Sequence, residues 1–156
     1  MYALGVMLYE LLAGELPFAS KELRAAGFAE IQRRIIAELN AAGFEELRLP
    51  HMAVLQFPGP DGVRPIELAE RAGISKQAMN QLLRSLEGIG YIDRTDAPHQ
   101  GRARIVFLTE RGHAAYAKIH EILRTIEDEW KAELGPEAFA QLKGLLLRVW
   151  EGALVQ

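Results

Sequence analysis

Cysteine is absent from this chain of 156 residues, which excludes disulfides, thiolate metal sites and redox sensing through a thiol. The four histidines are not grouped with other ligands at the spacing of a zinc site. A nucleotide-binding glycine motif and a Ser/His/Asp arrangement are missing as well. We therefore predict a protein that is not an enzyme, with no catalytic residue, no metal and no cofactor.

Long apolar runs are also missing, since no stretch approaches the ~20 residues that cross a bilayer. The apolar start, from Met1 to Ala13, lacks the basic residues that open a secretory signal. Hydrophobic residues make up 49% and charged residues 25% of the chain, which is typical of a globular domain with a core. We expect a cytoplasmic protein without a membrane partner.

The net charge of −3 weakly disfavours nucleic acid as a partner, but the charges are unevenly distributed. Between Arg71 and Arg104 there are six basic and three acidic residues, a local net charge of +3. The remainder of the chain carries 12 basic and 18 acidic residues. A locally basic surface on an acidic body is typical of a protein that binds DNA on one side.

Residues 65–90 show the pattern of two helices joined by a tight turn. Pro65 stands where the first helix begins, and Gly73 stands just past its end. Ser75 is a favourable N-cap for a second helix that we predict to end near Ile89. Two helices separated by so short a turn are typical of a helix-turn-helix.

The second of these helices is predicted to have two distinct faces. Its apolar face consists of Ala78, Met79, Leu82, Leu86 and Ile89. Its polar face consists of Gln77, Asn80, Gln81 and Arg84, with Lys76 beside them. Amide and guanidinium groups can make paired hydrogen bonds to purine edges in the major groove. We interpret this face as a DNA-reading surface, against the alternative of a surface helix that is merely rich in amides.

A β-hairpin is predicted directly after the two helices. Residues 91–95 have a short strand pattern, residues 96–102 form a polar tip, and residues 103–108 alternate as a returning strand. A helix-turn-helix followed by a hairpin is a winged helix. The predicted fold class is therefore mainly α with a small β-hairpin (α+β).

The segments ELAERAGISKQAMNQLLRSLEGIGYIDRTD and APHQGRARIVFLTERG, together residues 67–112, resemble the MarR family of bacterial transcription regulators. The similarity covers roughly residues 20–156 and is strongest over 66–112. It implies a winged helix-turn-helix domain with N- and C-terminal dimerisation helices. It also implies a homodimeric transcriptional repressor that binds specific sequences of double-stranded DNA. A two-fold dimer in turn implies a near-palindromic operator.

The rest of the chain is predicted to be helical. Apolar positions at helical spacing predict helices over 20–42, 50–57, 109–134 and 136–154. We divide the chain into dimerisation and linking helices at 1–48, a DNA-binding lobe at 49–108 and dimerisation helices at 109–156. The core expected for the lobe consists of Leu55, Leu68, Ala69, Leu82, Leu86 and Ile89.

The predicted DNA contacts are of three kinds. The residues that face base edges are Gln77, Asn80, Gln81 and Arg84. The residues that hold phosphates are Ser75, Lys76 and Arg94. The residues of the wing, led by Arg102 in the minor groove, are His99, Gln100, Arg102 and Arg104. MarR wings commonly carry an aspartate two residues before the key arginine, and this chain has Gln100 there. We therefore predict a more mobile wing tip.

The resemblance also implies a small-molecule effector. Many MarR proteins leave DNA when a small aromatic or phenolic acid binds. The residues that could meet such an anion are Arg33, Arg34, His51 and His113. The alternative for each of them, which we favour, is an ordinary surface or interface residue. A winged-helix protein-interaction module that does not read DNA stays open as the alternative, because fold alone does not decide function.

Residues 1–18 have a second, local similarity. The stretch MYALGVMLYELLAGELPF resembles a core helix of protein kinases. The Gly-rich phosphate loop, the His-Arg-Asp motif and the Asp-Phe-Gly motif of that family are missing from the sequence. We therefore expect an apolar helix that ends near Gly14 and packs on the body or on a partner subunit, without kinase activity.

Overall fold

The structure, a computed structural model, describes residues 21–55, 62–96 and 104–151. Within these ranges the chain is mainly helical with a small antiparallel sheet, which confirms the predicted α+β class. The elements in chain order are α1 (Lys21–Ala41), a 3-10 turn (Leu49–His51), α2 (Met52–Leu55), α3 (Pro65–Arg71), α4 (Lys76–Gly88), β1 (Ile92–Asp96), β2 (Arg104–Leu108), α5 (Glu110–Leu134) and α6 (Pro136–Glu151).

The described chain divides into two compact units. One unit consists of residues 39–118 and contains the helix-turn-helix and the two strands. The other combines residues 21–38 with residues 119–151. Helices α1 and α5 each contribute residues to both units. The functional division of the chain at residues 48 and 108 stays a prediction.

Helices α1 and α3 begin and end close to the predicted positions. Gly43 after α1 and Gly73 after α3 have φ of +94° and +63°, a region that favours glycine over other residues. Pro65 begins α3, as predicted. The predicted helix over 50–57 is instead a 3-10 turn that continues as α2, and residues 56 and 57 lie outside the described residues.

The core of the lobe differs from the predicted set on one face of α4. The predicted core residues that are buried are Leu55, Leu68, Ala69 and Leu86. Leu82 and Ile89 are only half-buried, whereas Leu83 is completely buried. The prediction for Leu82 and Ile89 was wrong because helical spacing identifies a face only to within about one residue, roughly 100° of rotation. The packing of α4 selects Leu83.

Val63 forms an isolated β-bridge to the wing, which the sequence pattern did not predict. Strand β1 pairs with β2 in antiparallel register, with Ile92 opposite Leu108 and Asp96 opposite Arg104. Val63, ahead of α3, pairs with Val106 through two backbone hydrogen bonds of 3.0 and 2.9 Å. A bridge of one residue has no alternation for a sequence pattern to show. It joins the loop before α3 to the wing.

The unit that contains residues 21–38 and 119–151 is packed along α5. The buried side chains of α5 in this unit are Ile119, Ile122, Leu123 and Ile126. Arg34 on α1 donates through Nη2 to Glu129 on α5 at 2.7 Å and through Nε to Glu38 at 2.8 Å. Leu134 and Leu145 are 49% and 58% exposed, so a single chain leaves apolar side chains uncovered at the end of α5 and on α6.

Candidate nucleic-acid interface

Helix α4 begins at a capped turn, as the sequence predicts. Ser75 is the N-cap, and its Oγ accepts a hydrogen bond from the Ala78 N–H at 3.1 Å. The turn after α3 is closed by a hydrogen bond from the Ile74 N–H to the Ala69 carbonyl at 3.0 Å. Because Ser75 and Lys76 are exposed, the N-terminus of α4 is open to an anion such as a phosphate group.

One side of α4 is polar and exposed along its whole length. Its exposed side chains are Ser75, Lys76, Gln77, Asn80, Gln81 and Arg84. The opposite side is anchored by Met79, Leu83 and Leu86, which are 0% exposed. The predicted base-reading residues therefore share one helical surface. That surface spans about 10 Å of helix axis between Gln77 and Arg84, at 1.5 Å per residue.

Arg94, a predicted phosphate contact, forms an ion pair within the protein. Its side chain is only 12% exposed, and its guanidinium bonds Glu87 on α4, with Nε donating to Oε2 at 2.9 Å and Nη2 donating to the same oxygen. This ion pair raises the pKa of Arg94 and lowers the pKa of Glu87. A guanidinium already neutralised by a carboxylate is poorly placed to hold a phosphate. Arg94 instead joins β1 to the last turn of α4.

The wing is described at its base only. Arg104 begins β2, is exposed and lies opposite Asp96. After the hydrogen bond from Arg94, the charge of Arg104 further lowers the pKa of Glu87. The remaining predicted wing contacts, which lie outside the described residues, are His99, Gln100 and Arg102. Their DNA contacts and the mobility of the wing tip stay predictions.

The end of α4 is held by a cluster around Tyr91, which sequence patterns did not indicate. Tyr91 is 0% exposed, and the guanidinium of Arg111 lies 4.7 Å from the centre of its ring. Arg111 donates to both carboxylate oxygens of Glu46 at 2.9 Å and to the Ile89 carbonyl at 3.2 Å. The cluster joins the loop after α1 and the start of α5 to the C-terminal end of α4.

His51 also contacts α4, and the sequence did not predict this contact. His51 is buried on the 3-10 turn, and its Nε2 lies 3.1 Å from Ser85 Oγ on α4. Burial, and then the charge of Arg48, lower the pKa of His51. The only local indication was a polar residue in an otherwise apolar stretch, which does not identify its partner 34 residues away.

The candidate residues for an effector anion are mostly engaged with other groups. Arg34 bonds Glu129 and Glu38, and Arg33 forms an exposed ion pair of 2.6 Å with Glu30. His51 has partners at both ring nitrogens. His113 is exposed on α5. The described side chains therefore do not single out one anion site.

The exposed surface of α4 offers amide, hydroxyl and cationic groups, which are the groups that bind phosphates and base edges. Among the residues that the structure describes, His, Asp and Glu side chains do not form a group of three that could hold a metal ion. Within the same residues, no helix combines the length and apolar character needed to cross a membrane.

Known proteins that are similar to this chain are DNA-binding regulators with a winged helix. The model of the MarR family matches residues 52–103, which run from α2 into the wing. The HTH-type transcriptional repressor Rv2887 of Mycobacterium tuberculosis is 32% identical over 85 residues, which cover 54% of this chain and 61% of the repressor. The alignment thus spans about three fifths of that relative's length.

Solved structures match more of the chain. The structure of Rv2887 from M. tuberculosis in complex with salicylic acid is 29% identical and covers 88% of this chain and 98% of that one, with a TM-score of 0.60. The structure of Streptococcus pneumoniae FabT in complex with DNA shares the fold at 15% identity, with a TM-score of 0.71 over 83% of this chain and 92% of that one. The family match over α2 to the wing, the related repressor and the shared winged helix together show that this chain contains a winged-helix domain of the MarR family.

Proposed function

We propose that this protein is a sequence-specific DNA-binding regulator that acts as a homodimeric repressor. The observation that supports this most directly is the exposed row of amide and guanidinium groups on α4, with Met79, Leu83 and Leu86 completely buried on the opposite side of the helix. A helix face that served only for solubility would carry mostly Glu and Lys. The relative Rv2887 is itself a transcriptional repressor, and a regulator of genes works in the cytoplasm.

In the proposed complex α4 lies in the major groove, which is about 12 Å wide and admits one α-helix. Asn80 and Gln81 are suited to paired hydrogen bonds with adenine, and Arg84 to paired hydrogen bonds with guanine. Ser75 and Lys76 bind phosphates at the helix start. The Ser75 hydroxyl can donate to a phosphate while its oxygen accepts from the Ala78 N–H.

The wing is proposed to reach the adjacent minor groove, where a narrow groove attracts arginine. Arg102 leads this contact, and its supporting residues are His99, Gln100 and Arg104. Arg94 is removed from the proposed phosphate contacts, since its guanidinium is bonded to Glu87 and largely buried. Its proposed role is to hold the base of the wing against α4.

The proposed dimer forms through the terminal helices. Leu134 and Leu145 are apolar and about half exposed in the single chain, and burial of such side chains against a second copy stabilises a two-fold assembly. The symmetry of such a dimer places two copies of α4 in successive major grooves. Half-sites should then lie about one helical turn, roughly 10 bp, apart.

Selection of binding sites from a random DNA pool tests this function. We expect the protein to enrich near-palindromic sequences, and its affinity to fall steeply with added salt because phosphate contacts release counterions. DNA reading would be contradicted if no sequence were enriched and the protein did not bind random DNA at any salt concentration. That outcome would favour the winged-helix protein-interaction module instead.

We further propose that a small aromatic acid releases the protein from its operator. The support is the structure of the relative Rv2887, which contains salicylic acid. Addition of salicylate to the protein–operator complex should raise the apparent Kd for the duplex, and benzamide, an uncharged aromatic of similar size, should not. An unchanged Kd at millimolar salicylate would contradict this part of the proposal and leave DNA reading intact.

A further inference from the structure

His51 is a buried histidine whose two ring nitrogens both have partners. It ends the 3-10 turn and is only 7% exposed. Its Nδ1 accepts a hydrogen bond from the Arg48 backbone N–H at 3.1 Å, and its Nε2 lies 3.1 Å from Ser85 Oγ. Because Nδ1 is an acceptor, the neutral ring carries its proton on Nε2, which donates to the Ser85 hydroxyl. The backbone of the turn thus determines the direction of the side-chain bond.

Ser85 lies on α4 beside the proposed reading surface. It follows Arg84 directly and lies about one turn after Gln81. The buried leucines of α4 fix how deeply the helix lies in the lobe, but apolar contacts are not directional. A hydrogen bond restricts both a distance and an angle, so the contact with His51 restricts rotation of α4 about its axis. A rotation of roughly 10° would move a side-chain end at the helix surface by about 1 Å.

We propose that His51 is a positioning residue for base reading. Through Ser85 it sets the rotation of α4 and therefore the direction in which Gln81 and Arg84 point. This inference rests on the proposed DNA reading and deepens it, because it assigns specificity to a buried residue that touches no DNA. An error of about 1 Å in a supporting contact is enough to weaken a site that depends on paired hydrogen bonds.

The position of the His51 ring, and with it the contact with Ser85, depends on whether the ring is neutral or protonated. A proton on Nδ1 would oppose the Arg48 N–H and break that hydrogen bond. The groups that act on the ring are the uncharged Ser85 hydroxyl of α4 and Arg48, which precedes the turn and is cationic. Helix α2, which follows His51 directly, has no ionisable side chain. Burial and Arg48 hold the pKa of His51 below 6.5, so the ring is neutral at pH 7. Discrimination should decrease as pH falls through this lowered pKa.

The test measures the ratio of Kd values for the selected operator and for a duplex with one substituted base pair at the α4 contact. Ser85→Ala removes the hydroxyl from an exposed position and introduces a good helix former, so the helix should be retained. We expect the ratio to fall about tenfold, within the range that one paired base contact provides. His51→Leu should cause the same loss. The double variant should cause no further loss, because both changes remove one contact.

Two further variants separate positioning from a loss of folding. His51→Gln keeps an N–H donor at the reach of Nε2 but does not titrate, so it should restore discrimination to within about threefold of the wild type and remove the decrease at acid pH. Thr125→Ala deletes a hydroxyl that bonds its own helix at the Glu121 carbonyl, 3.2 Å away, and should leave the ratio unchanged. Thermal unfolding of each variant confirms that it is folded.

The outcomes are distinguishable. If the wild-type protein binds no DNA sequence preferentially, the proposed function and this inference both fail. If the wild type discriminates and Ser85→Ala discriminates equally well, the inference alone is overturned. A uniform loss of affinity for all duplexes with an unchanged ratio would also overturn it, since His51 would then act only on the stability of the lobe.

Discussion

Arg94 of the first wing strand donates from Nε to Oε2 of Glu87 at 2.9 Å, and this contact joins the wing to the last turn of α4. Arg94 is mostly buried, while Glu87 is 37% exposed. The wing is therefore connected to the proposed reading helix at its base by a charge-assisted hydrogen bond, a kind stronger than its neutral counterparts. Gln100, in contrast, offers the wing tip no negative charge.

Glu87→Gln should lower the stability of the protein at pH 7, and the deficit should shrink as the pH falls. Arg94 holds the pKa of Glu87 below its ordinary 4.5 in the folded state. The unfolded state therefore takes up a proton first, so the pair contributes stability above pH 4.5 that is lost as pH falls through the lowered pKa. Urea unfolding at a series of pH values measures this. Glu70→Gln, at an exposed site on α3, is the control, and a deficit independent of pH would count against the ion pair.

Leu83→Ala should destabilise the lobe far more than Leu82→Ala, although the two leucines are neighbours. Leu83 is 0% exposed, so its truncation leaves a cavity and should cost about 2–5 kcal/mol. Leu82 is half-buried and should cost about 1 kcal/mol. Urea unfolding of both variants provides the comparison. Equal losses would mean that α4 is rotated from the position described.

Gly112→Ala should be strongly destabilising, and Gly88→Ala should not. A Cβ at position 112 would lie 2.1 Å from the Tyr91 carbonyl oxygen, a backbone atom that cannot turn aside. We expect a loss of at least about 2 kcal/mol. At position 88 a Cβ meets nothing within 4 Å, and alanine should stabilise the helix by about 0.5–1 kcal/mol. Thermal unfolding measures both, and a stable Gly112→Ala would contradict the close approach of α5 to Tyr91.

Gln81→Ala should reduce discrimination between the selected operator and point-mutated operators. The loss should be about 1–3 kcal/mol at one base pair, the contribution of a paired contact, and small at the others. A set of duplexes with single substitutions locates the affected position. A uniform change over all duplexes would show that Gln81 does not contact a base.

Lys76→Ala should weaken binding to all sequences by a similar factor and flatten the salt dependence. Loss of one phosphate contact should reduce the slope of log K against log salt by about 0.9. Lys131→Ala removes the same charge from an exposed site on α5 and is the matched control. If the slopes of the two variants were equal, Lys76 would not contact a DNA phosphate.

Much of the proposed interface could be predicted because it depends on short-range relationships. The Ser75 cap, the positive-φ glycine at position 73 and the polar face of α4 all involve residues that lie within about two helical turns of each other. The role of Arg94 could not be predicted in this way. Glu87 lies on a different element, and the pair exists because the packing of α4 against β1 brings the two side chains together.

The sequence by itself determined the order of the helices and strands, the capped start of α4, the grouping of its amides on one side and the basic region within an acidic chain. These properties follow from backbone preferences and side-chain spacing, which act over a few residues. Only the tertiary structure decided that Leu83 rather than Leu82 is buried, that Val63 joins the wing and that His51 reaches Ser85. Each of these depends on how whole elements pack against each other. Helical periodicity predicts which face of a helix is buried only to within about one residue, because it does not determine how the packed helix is rotated about its axis.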